Sequence, residues 1–203
     1  KKIFGQKIGM TQLFNERGAV QVATVVRIPQ HVVTQIKTKE RDGYDSIQLG
    51  ASLKKKVSQP IVGMLKKNNI HEKLSHFIES PSDGDSVTVG NTVDVSYFSQ
   101  NEKITVIGAS KGKGFSGTIK RHGFHRGPKT HGSNNYRQPG SIGSAYPERV
   151  VKGKKMAGHM GHEQITIKGL HIVQISKGDN TIVINGPIPG PRNSYVTIHK
   201  DQT

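Results

Sequence analysis

Residues 110–164 constrain this chain more than any other stretch. They carry eleven lysines or arginines against two acids, Glu148 and Glu163, which is +9 of the formal net charge of +16. Glycine is frequent there and Leu, Ile and Val are scarce, so the stretch cannot bury enough apolar surface to offset the entropy lost on ordering. Alone it is not expected to fold. A polyanion must order it.

The 203 residues suit one medium domain with an elaboration, or two small domains, and one core is the simpler reading. Apolar residues make up 32% with no Trp, and the mean hydropathy is -0.53, so much of the chain lies outside that core. The absence of cysteine excludes disulfides and thiolate zinc sites and suits a reducing compartment. No run approaches the roughly 18 apolar residues of a membrane span, and Lys1-Lys2-Ile3-Phe4-Gly5 lacks the apolar region of a signal peptide. The expectation is a soluble, intracellular protein.

A pI near 10.1 calls for a polyanionic partner, either nucleic acid or an anionic membrane surface. Membrane binding needs a basic amphipathic helix with a bulky apolar face, which the glycines of residues 110–164 forbid. Nucleic acid is the expected partner.

Residues 1–109 read as mostly β. Residues 20–28 are β-branched and partly alternating, 32–37 and 46–51 repeat that character, and Asp42-Gly43 marks a turn between them. These three strands predict a meander or a barrel edge. Ile61, Met64, Leu65, Ile70, Leu74, Phe77 and Ile78 instead recur at three- and four-residue spacing, behind a Pro60 suited to a first helical position. That spacing predicts a small helical insert over residues 60–79, as one helix or as two broken at Asn68-Asn69.

Residues 87–95 and 103–110 return to strand character. After the basic stretch so do 164–168, 171–176, 181–184 and 195–199, with residues 177–180 as a hairpin connection. A β pattern on both sides makes 110–164 an insertion into a β-domain built from residues 1–109 and 165–203. The spacing of short strands, with no internal repeat, predicts a mainly β fold and a small closed or nearly closed barrel.

Within the insertion, Lys111-Gly112-Lys113-Gly114-Phe115 is the densest signal. Glycines let the backbone approach phosphates, lysines neutralise them, and Phe115 offers a face to a base or sugar. It is no nucleotide-binding P-loop: the glycine spacing is one residue short and Gly114 stands where Ser or Thr must follow the lysine. Lys120-Arg121-His122-Gly123-Phe124-His125-Arg126-Gly127-Pro128 interleaves cations with planar rings, which suits irregular RNA. A solvated helical face would mix acids with its lysines, and none occur here.

Phosphate contact is expected from Lys111, Lys113, Lys120, Arg121, Arg126, Lys129, Arg137, Arg149, Lys152, Lys154 and Lys155. Stacking is expected from Phe115, Phe124, His125 and Tyr136, with His131 a further base or phosphate contact. Metal is not expected, because a zincin pair beginning at His162-Glu163 would need His at position 166, which is Thr166. Catalysis is not expected either: Ser116 is not in a G-x-S-x-G elbow, and the insertion has no Asp to orient a histidine.

The order of motifs closely resembles the bacterial type of the large-subunit ribosomal protein L-three family. The matching segments begin with Gly5-Gln6-Lys7-Ile8-Gly9-Met10-Thr11-Gln12, Asp42-Gly43-Tyr44 and Ser110-Lys111-Gly112-Lys113-Gly114-Phe115-Ser116-Gly117-Thr118-Ile119-Lys120-Arg121. They continue through His131-Gly132-Ser133, Pro139-Gly140-Ser141-Ile142-Gly143, Lys152-Gly153-Lys154-Lys155-Met156-Ala157-Gly158-His159-Met160-Gly161 and Gly186-Pro187-Ile188-Pro189-Gly190-Pro191. The resemblance spans nearly the whole chain.

It implies a six-stranded β-barrel of the translation-protein type, a small helical insert, and a long basic loop that enters ribosomal RNA towards the peptidyl-transferase centre, with its tip around residues 139–151. It also implies a role in large-subunit assembly, contacts with neighbouring large-subunit ribosomal proteins, no cofactor and no small-molecule substrate. The expected location is the large ribosomal subunit in the cytoplasm, with an organellar ribosome left open. One position departs from the family. Some bacterial members carry a methylated glutamine just after the Gly-Ser-Ile-Gly motif, whereas Ser144-Ala145-Tyr146-Pro147 follows here and Gln138 precedes the motif.

Two rivals predict different behaviour. A free nucleic-acid chaperone would exchange among RNAs with little preference, and an enzyme gripping nucleic acid would show turnover abolished at one residue.

Overall fold

Ile3, Val26, Ile104, Val106, Ile172, Ile182, Ile184 and Ile198 are fully shielded from solvent. All eight lie on strands of one closed barrel in the computed structural model, which describes residues 1–15, 17–53, 56–82 and 87–201. Its strands are β1 (Lys2–Phe14), β2 (Val20–Arg27), β7 (Lys103–Ala109), β10 (Gln164–Ser176), β11 (Thr181–Asn185) and β12 (Tyr195–Lys200), in the order β1-β12-β7-β10-β11-β2. Every neighbouring pair is antiparallel, and closure leaves no unpaired edge. β-branched residues fill the interior because they pack well on a pleated surface. Ile28, Val95, Phe98, Ile188 and Val196 complete this core.

β1 is the one long strand that periodicity does not announce. Gly5 and Lys7 occupy buried positions where a strand pattern would show large apolar residues. Gly5 is required there: a Cβ would stand 2.5 Å from Val26 Cγ1. Lys7 is satisfied inside because its Nζ donates to the carbonyls of Ile188 at 2.7 Å and Gly190 at 2.9 Å.

The remaining strands of this part form a second sheet in the order β5-β4-β3-β6: β3 (His31–Lys37), β4 (Ser46–Leu53), β5 (Leu74–Pro81) and β6 (Thr92–Val93). Of the meander or barrel edge expected from residues 20–28, 32–37 and 46–51, only the first segment lies in the barrel, and the other two pair with each other in this second sheet. Pro29, which has no N–H for a ladder, stands between β2 and β3 and ends the barrel strand. Asp42 closes the one-turn helix α1 (Lys39–Asp42), and Gly43 follows it at φ 84°.

The helical insert over residues 60–79 is corrected too. The helix α2 (Gln59–Lys67) ends at Asn68, and β5 then pairs with β4 from Leu74 to Pro81. Leu74 and Phe77 face the helix with Leu65 and Ile70, while Ile78 packs on the opposite face with Val33, Ile47 and Leu49. A strand buried on both faces carries apolar residues at mixed spacing, which imitates a helical period. Of residues 87–95, only Thr92–Val93 forms a strand, and the 3-10 helix Val95–Tyr97 follows it. Residues 164–168 and 171–176 are one strand, whose register shifts between Ile167 and Leu170.

His31 links the two sheets. It is fully buried, its Nε2 accepts the Phe4 N–H at 3.0 Å, and its ring stacks on Phe4 with centroids 6.3 Å apart. Desolvation pulls its pKa down from 6.5 to about 4; the Pro29 backbone acts the other way, but Nδ1 forms no hydrogen bond of acceptable geometry.

The chain divides into two compact units, Lys1–Ala109 with Gln164–Thr203, and Ser110–Glu163. No helix among the described residues is long and apolar enough to cross a membrane.

Candidate nucleic-acid interface

Where the Ser110–Glu163 unit begins and ends, its two limbs are joined by backbone. The Ser110 N–H donates to the Glu163 carbonyl at 2.9 Å and the Glu163 N–H to Ser110 Oγ at 3.2 Å. Lys113 N–H donates to Met160 O at 2.9 Å, and Met160 N–H to Gly114 O at 3.0 Å. Two short strands, β8 (Phe115–Ser116) and β9 (Gly158–His159), then pair antiparallel with Phe115 opposite His159 and Ser116 opposite Gly158.

One turn of helix, α3 (Thr118–His122), follows β8 and stops at Gly123, whose φ of 72° is the left-handed cap conformation. Its last turn holds the basic residues Lys120, Arg121 and His122, and the lysine and arginine suit the negative end of a helix. Arg121 Nη1 donates to the Met156 carbonyl at 2.8 Å, and His122 Nε2 lies 3.0 Å from the same oxygen. A carbonyl only accepts, so Nε2 carries the proton.

Beyond Gly123 the chain makes a second closure. Gly127 N–H donates to Tyr136 O at 3.0 Å, and a Cβ at Gly127 would stand 2.4 Å from the Asn135 carbonyl. Arg126 Nη1 reaches the Tyr136 hydroxyl at 3.4 Å. His122, Phe124, His125, Arg126, Asn135 and Lys155 line an open concavity of about 570 Å³.

No hydrophobic cluster falls in this unit; its buried residues are Ser116 and Thr118, both polar. Hydrogen-bonded backbone and turn geometry hold its shape, not apolar burial. Lys111, Lys113, Lys120, Arg121, Arg126, Lys129, Arg137, Arg149, Lys152, Lys154 and Lys155 are all exposed, and no carboxylate pairs with any of them among the described residues. Phe115 is 81% exposed, His125 and His131 are exposed, and Phe124 and Tyr136 are half-buried.

The structure gathers His122, Phe124, His125, Arg126 and Lys155 around one concavity. It puts Arg149, Lys152, Lys154 and Lys155 on the irregular returning limb, where Lys154 N–H donates to Val151 O at 3.2 Å. Such a surface can neutralise and stack, but it holds no carboxylate pair for proton transfer. Among the described residues no group of three His, Asp or Glu could hold a metal ion.

His159 is the residue that sequence reasoning missed. Periodicity presents it only as half of a His-x-x-His spacing with His162, whereas the fold sets it opposite Phe115. Met156 was missed as well, because its contribution is a backbone carbonyl that no residue type advertises. Tyr146, 79% exposed, and Val151, 59% exposed, add apolar surface to the cationic unit.

The sequence model of the family described as ribosomal protein L3 matches residues 84–182. Similarity to two curated relatives extends over nearly the full length. The large ribosomal subunit protein uL3 of Alkaliphilus metalliredigens is 44% identical over 203 residues, covering 98% of this chain and 96% of the relative. The protein of the same name from Desulforapulum autotrophicum is 43% identical over 213 residues, covering 98% of each. With these identities over nearly the full length of both proteins, the chain belongs to the uL3 family of large ribosomal subunit proteins.

Proposed function

We propose that this chain is a structural constituent of the large ribosomal subunit that binds ribosomal RNA through residues 110–164. The observation that carries the reading is the set of eleven exposed arm cations without a carboxylate partner among the described residues, on a scaffold with no apolar core of its own. Each lysine or arginine that meets a phosphate releases condensed counterions, so affinity comes largely from charge and falls with salt. Phe115, Phe124, His125, His131 and Tyr136 stack on unpaired bases or fill gaps between RNA helices.

In this reading the arm reaches towards the peptidyl-transferase centre and the β-domain lies at the RNA surface among neighbouring ribosomal proteins, as the family resemblance implies. In that position the chain promotes subunit assembly by holding RNA segments together. It performs no catalysis of its own. Fractionation of cells after a high-salt wash tests the reading: the chain is expected to stay in large-subunit particles, and recovery wholly in the free pool would overturn it.

A further inference from the structure

Phe115 and His159 stand directly opposite each other on the β8–β9 ladder, and both are exposed. Directly opposed residues of an antiparallel pair project from the same face, with Cβ atoms roughly 4.5–5.5 Å apart. The next pair, Ser116 with Gly158, projects to the other face, where Ser116 is only 4% exposed. Arg121 fills the room left by Gly158, with Nη1 2.7 Å from the position a Cβ would take, while donating to the Met156 carbonyl. The ladder therefore has one occupied face and one open face, and the open face carries two rings. Both rings are open to solvent on that face, Phe115 at 81% exposure.

We infer that Phe115 and His159 form a two-ring platform that receives an unpaired nucleobase of RNA. The inference rests on the ribosomal-RNA reading above and adds His159 to it, as the ring that shares a site with Phe115. Charge selects the occupant. Lys111, Lys113, Lys120 and Arg121 flank the platform in sequence, and no acid occurs from Lys111 to Pro147. A nucleotide brings a ring to stack and a phosphate to neutralise, whereas an apolar protein face would have to desolvate those cations without compensation. The backbone bonds of Lys113 with Met160 and of Met160 with Gly114 hold the two strands in register beside the rings.

The test uses the full-length chain bound to large-subunit ribosomal RNA, with nucleotide-resolution chemical probing and affinity measured across a salt series. Phe115→Leu and His159→Ala are each expected to expose the same one or few nucleotides and to weaken binding about tenfold, leaving the salt slope unchanged. His159→Tyr, which restores a ring, is expected to recover the protection. Lys152→Ala serves as a contrast, lowering the salt slope without exposing those nucleotides.

Wild-type protection with both ring variants would overturn the platform, as would exposure of unrelated nucleotides by the two. Loss of a neighbouring protein from the particle with an unchanged RNA footprint would assign the rings to a protein partner and overturn it as well. A wild-type chain that protects no ribosomal RNA would overturn the parent reading and the platform with it.

Discussion

Gly161 lies so close to Lys111 that a Cβ at position 161 would stand 2.2 Å from the Lys111 carbonyl oxygen, and its φ of 75° is left-handed. Backbone, not a movable side chain, occupies the space, so neither constraint can relax cheaply. Gly161→Ala is expected to strain the base of the arm by about 1–3 kcal/mol. On the RNA-bound chain the amides of Lys113 and Met160, which cross the two limbs, should exchange at least tenfold faster. Gly153→Asn is the control, because Gly153 has φ 81° with nothing within 4 Å of a Cβ, and Asn tolerates that region. Wild-type exchange in Gly161→Ala would show that the close approach does not hold the limbs together.

His31 makes the stability of the β-sheets depend on pH. Its pKa is lowered to about 4 by burial, so between that value and 6.5 the unfolded chain binds the proton that the folded chain refuses. Stability is fully present above pH 6.5 and falls as pH drops towards 4, by roughly 3 kcal/mol for a shift of this size. The carboxyls of Glu79 and Asp94 are also held low, Glu79 by its hydrogen bonds from Lys37 and Tyr44 and Asp94 by Ser96. Their contributions are lost only in more acid solution, below their ordinary values. Urea unfolding at pH 7 and pH 5 isolates the histidine: His31→Gln should shrink the difference between the two midpoints, and an unchanged difference would sink the assignment.

The arm cations should act on salt dependence, not on folding. Replacing Lys113 or Lys152 by Ala is expected to lower the slope of log affinity against log salt by about one, with no change in thermal midpoint. Lys37 offers the comparison within the same chain. Its ammonium bonds Glu79 and the Tyr44 hydroxyl, and these contacts raise its pKa, so Lys37→Ala should leave the slope unchanged. Equal slopes for all three variants would mean that the arm lysines do not meet phosphate.

How far the fold could be read in advance depended on whether each residue's neighbours lie nearby in sequence. β2, β7, β11 and β12 are β-branched runs that declare themselves. β1 is concealed because Gly5 makes room for Val26 and Lys7 is satisfied by carbonyls near the far end of the chain, partners that no local window contains. β5 passes for a helix because both of its faces are covered. The same division holds for the candidate site. Charge and glycine content are local properties, so the arm stands out at once. The pairing of Phe115 with His159, and of Arg121 with the Met156 carbonyl, exists only after the chain has turned back on itself.

The point at which the arm leaves and rejoins the chain, between β7 and β10, makes it separable. Ala109 and Gln164 are cross-strand partners on β7 and β10, so a short turn can join them directly when residues 110–163 are removed. None of the residues forming the barrel core lies in the deleted segment. The shortened chain is therefore expected to fold, with a cooperative melt and β-sheet circular dichroism close to those of the full protein. It loses eleven cations and two acids, and with them the term that dominates binding to a polyanion. Affinity for ribosomal RNA at about 0.15 M salt should fall by several orders of magnitude, and incorporation into large-subunit particles should fail. A shortened chain that melts cooperatively yet enters particles as well as the full protein would place RNA recognition in the barrel and reduce the arm to an accessory.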